Sequence, residues 1–464
     1  MRASSRSRAR HPTAIYLWLG IAAMSACAGG DVAHAADLTT PGAAAAPAPV
    51  PWLLGDWNGA RTRLSNAGID FQFGYTSEVA GNATGGQRRD AAYTDQWTFG
   101  TTFDLAKLGV VPDGTIQVTW TDRNGSNLSD DARLGTLQQV QELFGRGQTL
   151  RLTQFWYDQK FIGDLIDWKI GRITFGEDFA SFACDFQNLT FCGAQPGNLV
   201  GNYIYNWPVS QWATRLKFNL PGFGYFQFGV YDANPNYLNV SQSALPVFYS
   251  GSTGLLIPAE IAWLPKFGNL PGSYKFGGWY DTSTAPDVVT DINGSPAMLS
   301  GQPLLQSRGR YGGYVSFVQQ VIRSSQVSSA GALSLFFNAT MADRRTATTD
   351  YQIAGGLTYT GPLQSRPEDD IGFAVGTTHV NGRIAWSEEL QNLAGLGPVA
   401  VQGNEYVMEL YYTYRPLAGL QVLRLYSDTT TDLLYLDRYW REEQQVCDDV
   451  LALLAAPPRT AVPD

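Results

Sequence analysis

A chain of 464 residues with 41 acidic against 32 basic side chains, a net charge of −9, lacks the basic face that a nucleic-acid partner requires. Aromatic residues make up 13% and charged residues only 16% of it, glycine occurs 49 times, and the mean hydropathy is −0.15. No run of about eighteen apolar residues follows the N-terminal segment, which excludes a helical membrane protein and leaves, among membrane folds, a β-barrel, where only every second strand residue meets lipid.

The chain opens with Arg2, Arg6, Arg8 and Arg10, then the apolar stretch Ala14 to Ala26, which is too short for a membrane helix. This predicts an export signal over residues 1–35, cleaved after Ala33-His34-Ala35. The alternatives are a lipoprotein acceptor at Cys27, disfavoured by Met24 three residues before it, and an uncleaved anchor, disfavoured by the short core. Residues 36–54 read as an Ala/Pro-rich linker, 55–422 as the barrel, and 423–464 as an atypical tail. Asp56 precedes the apolar stripe Trp57, Ala60 and Leu64, which Gly68 ends; this predicts a short helix capped by Asp56 and packed at one mouth of the barrel.

From there the apolar residues recur with period two. In Ser210 to Asn219, Trp212, Leu216 and Phe218 share a face, with Arg215, Lys217 and Asn219 opposite; in Tyr225 to Asp232, Phe226, Phe228 and Val230 oppose Gln227 and Gly229. Similar strands are expected at Asp70 to Ala80, Asp95 to Leu105, Gly114 to Asn124, Thr149 to Phe161, Leu165 to Arg172, Leu255 to Leu264 and Ser273 to Asp281. Arg310 to Ile322, Ala332 to Asp343, Asp350 to Thr360, Asp370 to Val380 and Asn404 to Tyr414 bring the expected strands to about fourteen, each long enough for a tilted membrane strand.

Val111-Pro112-Asp113-Gly114, Phe161 to Asp164 and Leu220 to Gly224 read as tight turns, where Gly and Pro supply the geometry. Asn124 to Gln148, Thr174 to Trp207 and Thr282 to Gly309 read as long connections, outside or folded into the lumen, with a short helix over Leu137 to Phe144. Alternation alone also fits a secreted β-sandwich or solenoid. Aromatic residues at strand ends, Trp97, Phe103, Phe155, Trp156, Phe161, Trp168, Trp212 and Trp263, favour membrane girdles instead.

Cys184 and Cys192, eight residues apart, read as a disulfide loop in an oxidising compartment, with two free thiols as the alternative. A metal site needs further ligands, yet past the signal the only histidine is His379, so no metal and no cofactor are expected. Toward the end the alternation fails. Asp437 to Glu443 is densely charged, and Val450, Leu451, Leu453 and Leu454 recur as in a helix, so residues from about Leu423 onward are not expected to form barrel wall, whether through a frame change near codon 422 or as a periplasmic extension.

The run Gly55-Asp56-Trp57-Asn58-Gly59-Ala60-Arg61 through Ile69, then Lys169-Ile170-Gly171-Arg172, Glu177-Asp178-Phe179, Cys184-Asp185-Phe186 and Phe191-Cys192-Gly193, resembles the signatures of the carbohydrate-selective porins, the OprB family, from about Trp52 to about Leu420. The resemblance implies an all-β fold: a transmembrane antiparallel up-and-down β-barrel of about sixteen strands in the outer membrane of a Gram-negative bacterium. It implies outer-membrane lipid and small carbohydrate solutes as partners, a monomer or homotrimer, and passive diffusion without bond chemistry. Two further strands, the last ending in an aromatic residue, are expected by that likeness where residues 423–464 depart from it.

A sugar path needs hydroxyl-binding groups and some aromatic surface. Lys169, Arg215, Lys217, Glu260 and Lys275 on polar strand faces are candidates, with Arg172, Glu177, Asp178 and Asp185 near the cysteine loop and Arg308 and Arg310 leading into a strand. Each reads equally as a hydrated wall residue. Their mixed signs suit a neutral solute. The rivals are a general non-selective pore, a barrel hydrolase and a surface adhesin. His379 lacks a Gly-x-Ser-x-Gly elbow nearby, and no internal repeat or stalk is visible.

Overall fold

The computed structural model describes residues 55–415, less 243, 245–246, 324–331, 364–365 and 367–368, together with the backbone of Tyr16–Leu17, Leu423–Ser427 and Asp432–Leu436. The export signal, apart from Tyr16–Leu17, the linker and most of the tail lie outside the described residues.

Fourteen long strands follow one another, each antiparallel to its neighbour in sequence: β1 (Ile69–Gly81), β2 (Ala91–Asp104), β3 (Gly114–Gly125), β4 (Leu150–Phe161), β5 (Ile166–Ile173), β6 (Gln211–Leu220) and β7 (Gly224–Ala233). They continue with β8 (Gly254–Trp263), β9 (Leu270–Asp291), β10 (Leu304–Arg323), β11 (Ala332–Ala342), β12 (Thr349–Thr360), β13 (Asp370–Val380) and β14 (Asn404–Thr413). Two-residue pieces bring the strand order to sixteen: Lys266–Phe267 beside β9, and Tyr16–Leu17, inside the expected leader, parallel to β14. The sixteen wall strands implied by resemblance are therefore fourteen among the described residues. Leu423–Ser427 and Asp432–Leu436 pair with each other.

The alternation determines which face each residue takes. In β7 the rings of Phe226 and Phe228 are exposed, while Tyr225, Gln227, Gly229 and Tyr231 are buried on the other face. Outward rings pack across strands, Phe73 at 5.2 Å from Phe99 and Phe276 at 5.2 Å from Phe317. Large apolar rings left exposed all around a wall are a lipid-facing surface rather than a water-facing one.

Helix α1 (Ala60–Asn66) forms where Asp56 Oδ1 accepts from the Thr62 N–H at 2.8 Å and its hydroxyl at 2.7 Å, so Asp56 caps the first turn although Gly59 occupies the N-cap position. Gly68, at φ 93°, then turns the chain into β1; a Cβ there would lie 2.7 Å from the Asp104 carbonyl, so no other residue fits without displacement.

Three expectations need correction. Thr282 to Gly309 is not a loop: β9 runs on to Asp291 and β10 begins at Leu304, because polar residues such as Asp281, Ser283 and Asp287 continue the buried phase of the alternation. Leu137 to Phe144 holds only the single turn Glu142–Phe144, since its backbone donors are taken by other elements, as described below. Trp156 is no girdle residue; it faces inward, with Lys169 Nζ 4.7 Å from its ring centre. Helix α2 (Gly382–Leu393), capped by Asn381, whose side chain accepts from Arg383 N–H, had no counterpart in the sequence reading.

Candidate functional site

The β5–β6 connection, residues 174–210, folds into the interior because it carries its own apolar surface. Phe175, Phe179, Leu199 and Ile204 are buried against Ile173, Tyr231, Leu256, Trp279 and Tyr314 of the wall. Farther on, Phe186 and Phe191 pack against Phe336, Ala354 and Ala374. The segment thus crosses from β5 to β11–β13, and each buried ring contributes about 1.5–3 kcal/mol to holding it there. Cys184 and Cys192 are joined as a disulfide within it.

Ion pairs fix its near end. Lys169 Nζ lies 2.9 Å from Asp178 and 3.3 Å from Glu177, and Arg215 lies 2.8 Å from Asp167, 3.4 Å from Asp158 and 3.4 Å from Asp178. Burial pushes the Asp178 carboxyl up, but Lys169 and Arg215 outweigh it and hold the group below the ordinary carboxylate range. Glu177 has less cationic company, and burial pushes it up. Glu260 accepts four hydrogen bonds: from Ala180 N–H at 2.8 Å, the Tyr225 hydroxyl at 2.7 Å, the Gln227 amide at 3.0 Å and the Tyr314 hydroxyl at 2.8 Å. Lys275 Nζ donates to the Ser181 carbonyl at 2.8 Å and its hydroxyl at 2.5 Å.

The remaining candidates divide. Arg172 donates to Ser210 O and Val247 O, both at 2.9 Å, tying down the β7–β8 connection, residues 234–253. Arg310 pairs with Asp281 and sits 3.7 Å above the Tyr203 ring, and Lys217 sits 4.5 Å above the Tyr225 ring. Asp185 and Arg308 are exposed. Nine of the eleven candidate charges are therefore engaged by loop backbone, hydroxyls and amides, rings or opposite charges.

Sequence reasoning, looking for charges, missed a neutral ladder on the inner face of β1 to β4. Gln72 Nε2 donates to the Thr102 hydroxyl at 3.3 Å, Gln117 Nε2 to Gln72 Oε1 at 3.2 Å and to the Thr119 hydroxyl at 2.8 Å, and Thr119 Oγ1 to Gln154 Oε1 at 2.7 Å. Thr102 also bonds Gln117. Among the described residues the nearby hydroxyls of Thr121 and Thr153 and the Trp156 indole N–H are buried without a protein partner. The spacing Gln117-x-Thr119-x-Thr121 carried this signal. It also missed Arg123, which donates to Gln96 Oε1 at 2.8 Å and to the carbonyls of Glu142 and Gly145 at 3.3 and 3.1 Å, and so holds the β3–β4 connection, residues 126–149, inside as well.

His379 stacks on Tyr351, ring centres 4.5 Å apart, with Nδ1 2.5 Å from Asp350 Oδ1.

Comparison with known proteins agrees with this architecture. The sequence profile of the carbohydrate-selective porin, OprB family, matches residues 88–422. Porin B of Pseudomonas aeruginosa is 42% identical over 405 residues, covering 84% of this chain and 87% of that protein. The solved structure of Pseudomonas putida OprB at high pH superposes with a TM-score of 0.75 at 42% identity, covering 80% of this chain and 90% of that one. A different likeness, confined to 50 residues or 11% of the chain, is 68% identity to 8% of the RecBCD enzyme subunit RecD of Mycolicibacterium smegmatis.

Proposed function

This chain belongs to the carbohydrate-selective porin, OprB family, and from that premise we propose that it passes small neutral carbohydrates across the outer membrane by diffusion over the Gln72–Gln154 ladder. The ladder carries this reading. Interior charges such as Lys169, Asp178, Arg215 and Arg310 already face opposite charges, so they project little field onto an ion, while amides and hydroxyls offer the donors and acceptors that a sugar exchanges for its water.

No chemistry acts on the solute; the protein supplies a route. The two inward connections narrow the interior so that a solute touches the wall, and the ladder replaces part of its hydration as it moves. Export would use the N-terminal signal, removed after Ala35, which sequencing of the mature N-terminus tests.

Proteoliposomes swollen in isotonic sugar test the reading. Neutral mono- and disaccharides should enter faster than anions of similar size, with no product formed. Strong anion entry without sugar entry would overturn it in favour of an anion-selective pore, and equal entry of both in favour of a general pore.

A further inference from the structure

Two wall strands carry carboxylates that the charge network above does not use. On β14, Glu405 accepts from the consecutive N–H groups of Leu137 and Gln138, at 2.5 and 3.2 Å, on the β3–β4 connection. Glu409, two repeats along the same strand face, accepts from the consecutive N–H groups of Gln187 and Asn188, at 2.8 and 3.0 Å, on the β5–β6 connection. On β1, Glu78 accepts from Leu143 N–H at 3.2 Å. Two adjacent peptide N–H groups that meet one carboxylate, one N–H to each oxygen, make the kind of concavity that proteins use to hold free anions; here the anion is a side chain of the wall.

The two connections are also bonded to each other. Glu142 N–H donates to Gln187 O at 3.0 Å, and Leu189 N–H to Gln139 O at 3.0 Å. Gln187 reaches both ends of the strand order: its N–H bonds Glu409 on β14, and its amide lies 3.4 Å from Val79 O on β1. A single folded unit thus hangs from three carboxylates on the first and last long strands.

We infer that Glu405 and Glu409, supported by Glu78, are positioning residues that hold the two connections across the lumen and so set the width of the constriction. This inference rests on the proposed sugar passage for its meaning, but not for its measurement. Glutamine keeps the shape of the side chain while replacing one acceptor by a donor, which then faces a peptide N–H; one of the two bonds is lost and a repulsion gained. Aspartate keeps both acceptors on a shorter stem.

The test uses the full chain in planar bilayers, with E405Q, E409Q and E409D each compared with the parent. E405Q and E409Q should each raise single-channel KCl conductance and raise the sugar concentration that halves the current several-fold. E409D should restore much of the block, which a role confined to overall stability would not give. Each glutamine variant frees only one connection, so if one is not recovered folded, the other is read alone. Glutamine variants with parental conductance would overturn the inference. Should the parent itself show no sugar block, the proposed function fails, and the conductance of the variants still decides whether these carboxylates hold the constriction.

Discussion

Asp178 of the inward connection lies 2.9 Å from Lys169 of β5 and 3.4 Å from Arg215 of β6, so one loop carboxylate bridges two strand cations. Removing Asp178 strips one anion from both buried cations, which keep Glu177, Asp167 and Asp158 as partners; full loss of compensation would cost about 3–5 kcal/mol, and this partial loss costs less. D178N should therefore unfold at lower temperature in detergent, read by the heat-dependent shift in gel mobility. Because Lys169 and Arg215 outweigh burial and hold Asp178 below its ordinary value, its contribution is fully present above about pH 3.9 and is lost as pH falls through the lower folded value. The difference between D178N and the parent should shrink toward pH 2. A difference that persists there unchanged contradicts the assignment.

The ladder makes a different prediction. Q117L removes the bonds from Gln117 to Gln72 and Thr119 without adding charge. At about 0.5–1.5 kcal/mol per lost hydrogen bond, the half-blocking sugar concentration should rise roughly two- to tenfold. KCl conductance should stay near the parental value. Equal sugar block in both proteins would remove the ladder from the path.

Much of the wall was legible because period-two alternation is a property of residue order alone. All fourteen expected strands are present, and Arg215, Glu260 and Lys275 face inward as their strand phases required. What these charges do there was not legible. Their partners, among them Asp178, Ala180 N–H and Ser181, lie on a connection whose path across the lumen depends on where Phe175, Phe186 and Phe191 find wall pockets, far away in sequence. Glu405 and Glu409 were not among the candidates, since nothing near them in the chain announces the peptide N–H groups from which they accept. Helix α2 was missed because attention to strand periodicity passed over Asn381 as a cap.

Cys184 and Cys192 should resist alkylation until the protein is reduced, with two labels added per chain afterwards. Closing a loop of this size restricts the unfolded chain by about 2–3 kcal/mol, so C184S should lower thermal stability by a comparable amount. Labelling at Cys184 or Cys192, located by peptide mapping, in protein prepared without reductant would contradict the pairing.

The tail is expected to be foreign to the wall. The family profile ends at residue 422, where the alternation also ends, and Leu423–Ser427 pairs with Asp432–Leu436 rather than with β14. Replacing residues 423–464 by two alternating strands that finish in an aromatic residue should raise the yield of heat-modifiable protein, because unpaired strand edges are penalised in lipid by several kcal/mol per group. Unchanged yield, or a β14 edge paired with the present tail, would contradict this.

The most direct test of sugar passage is the current through single reconstituted channels as a neutral sugar is titrated in. The account predicts a saturable fall in KCl current with added sugar, steeper for the parent than for Q117L. A current indifferent to sugar at every concentration, in channels that conduct salt normally, would contradict it.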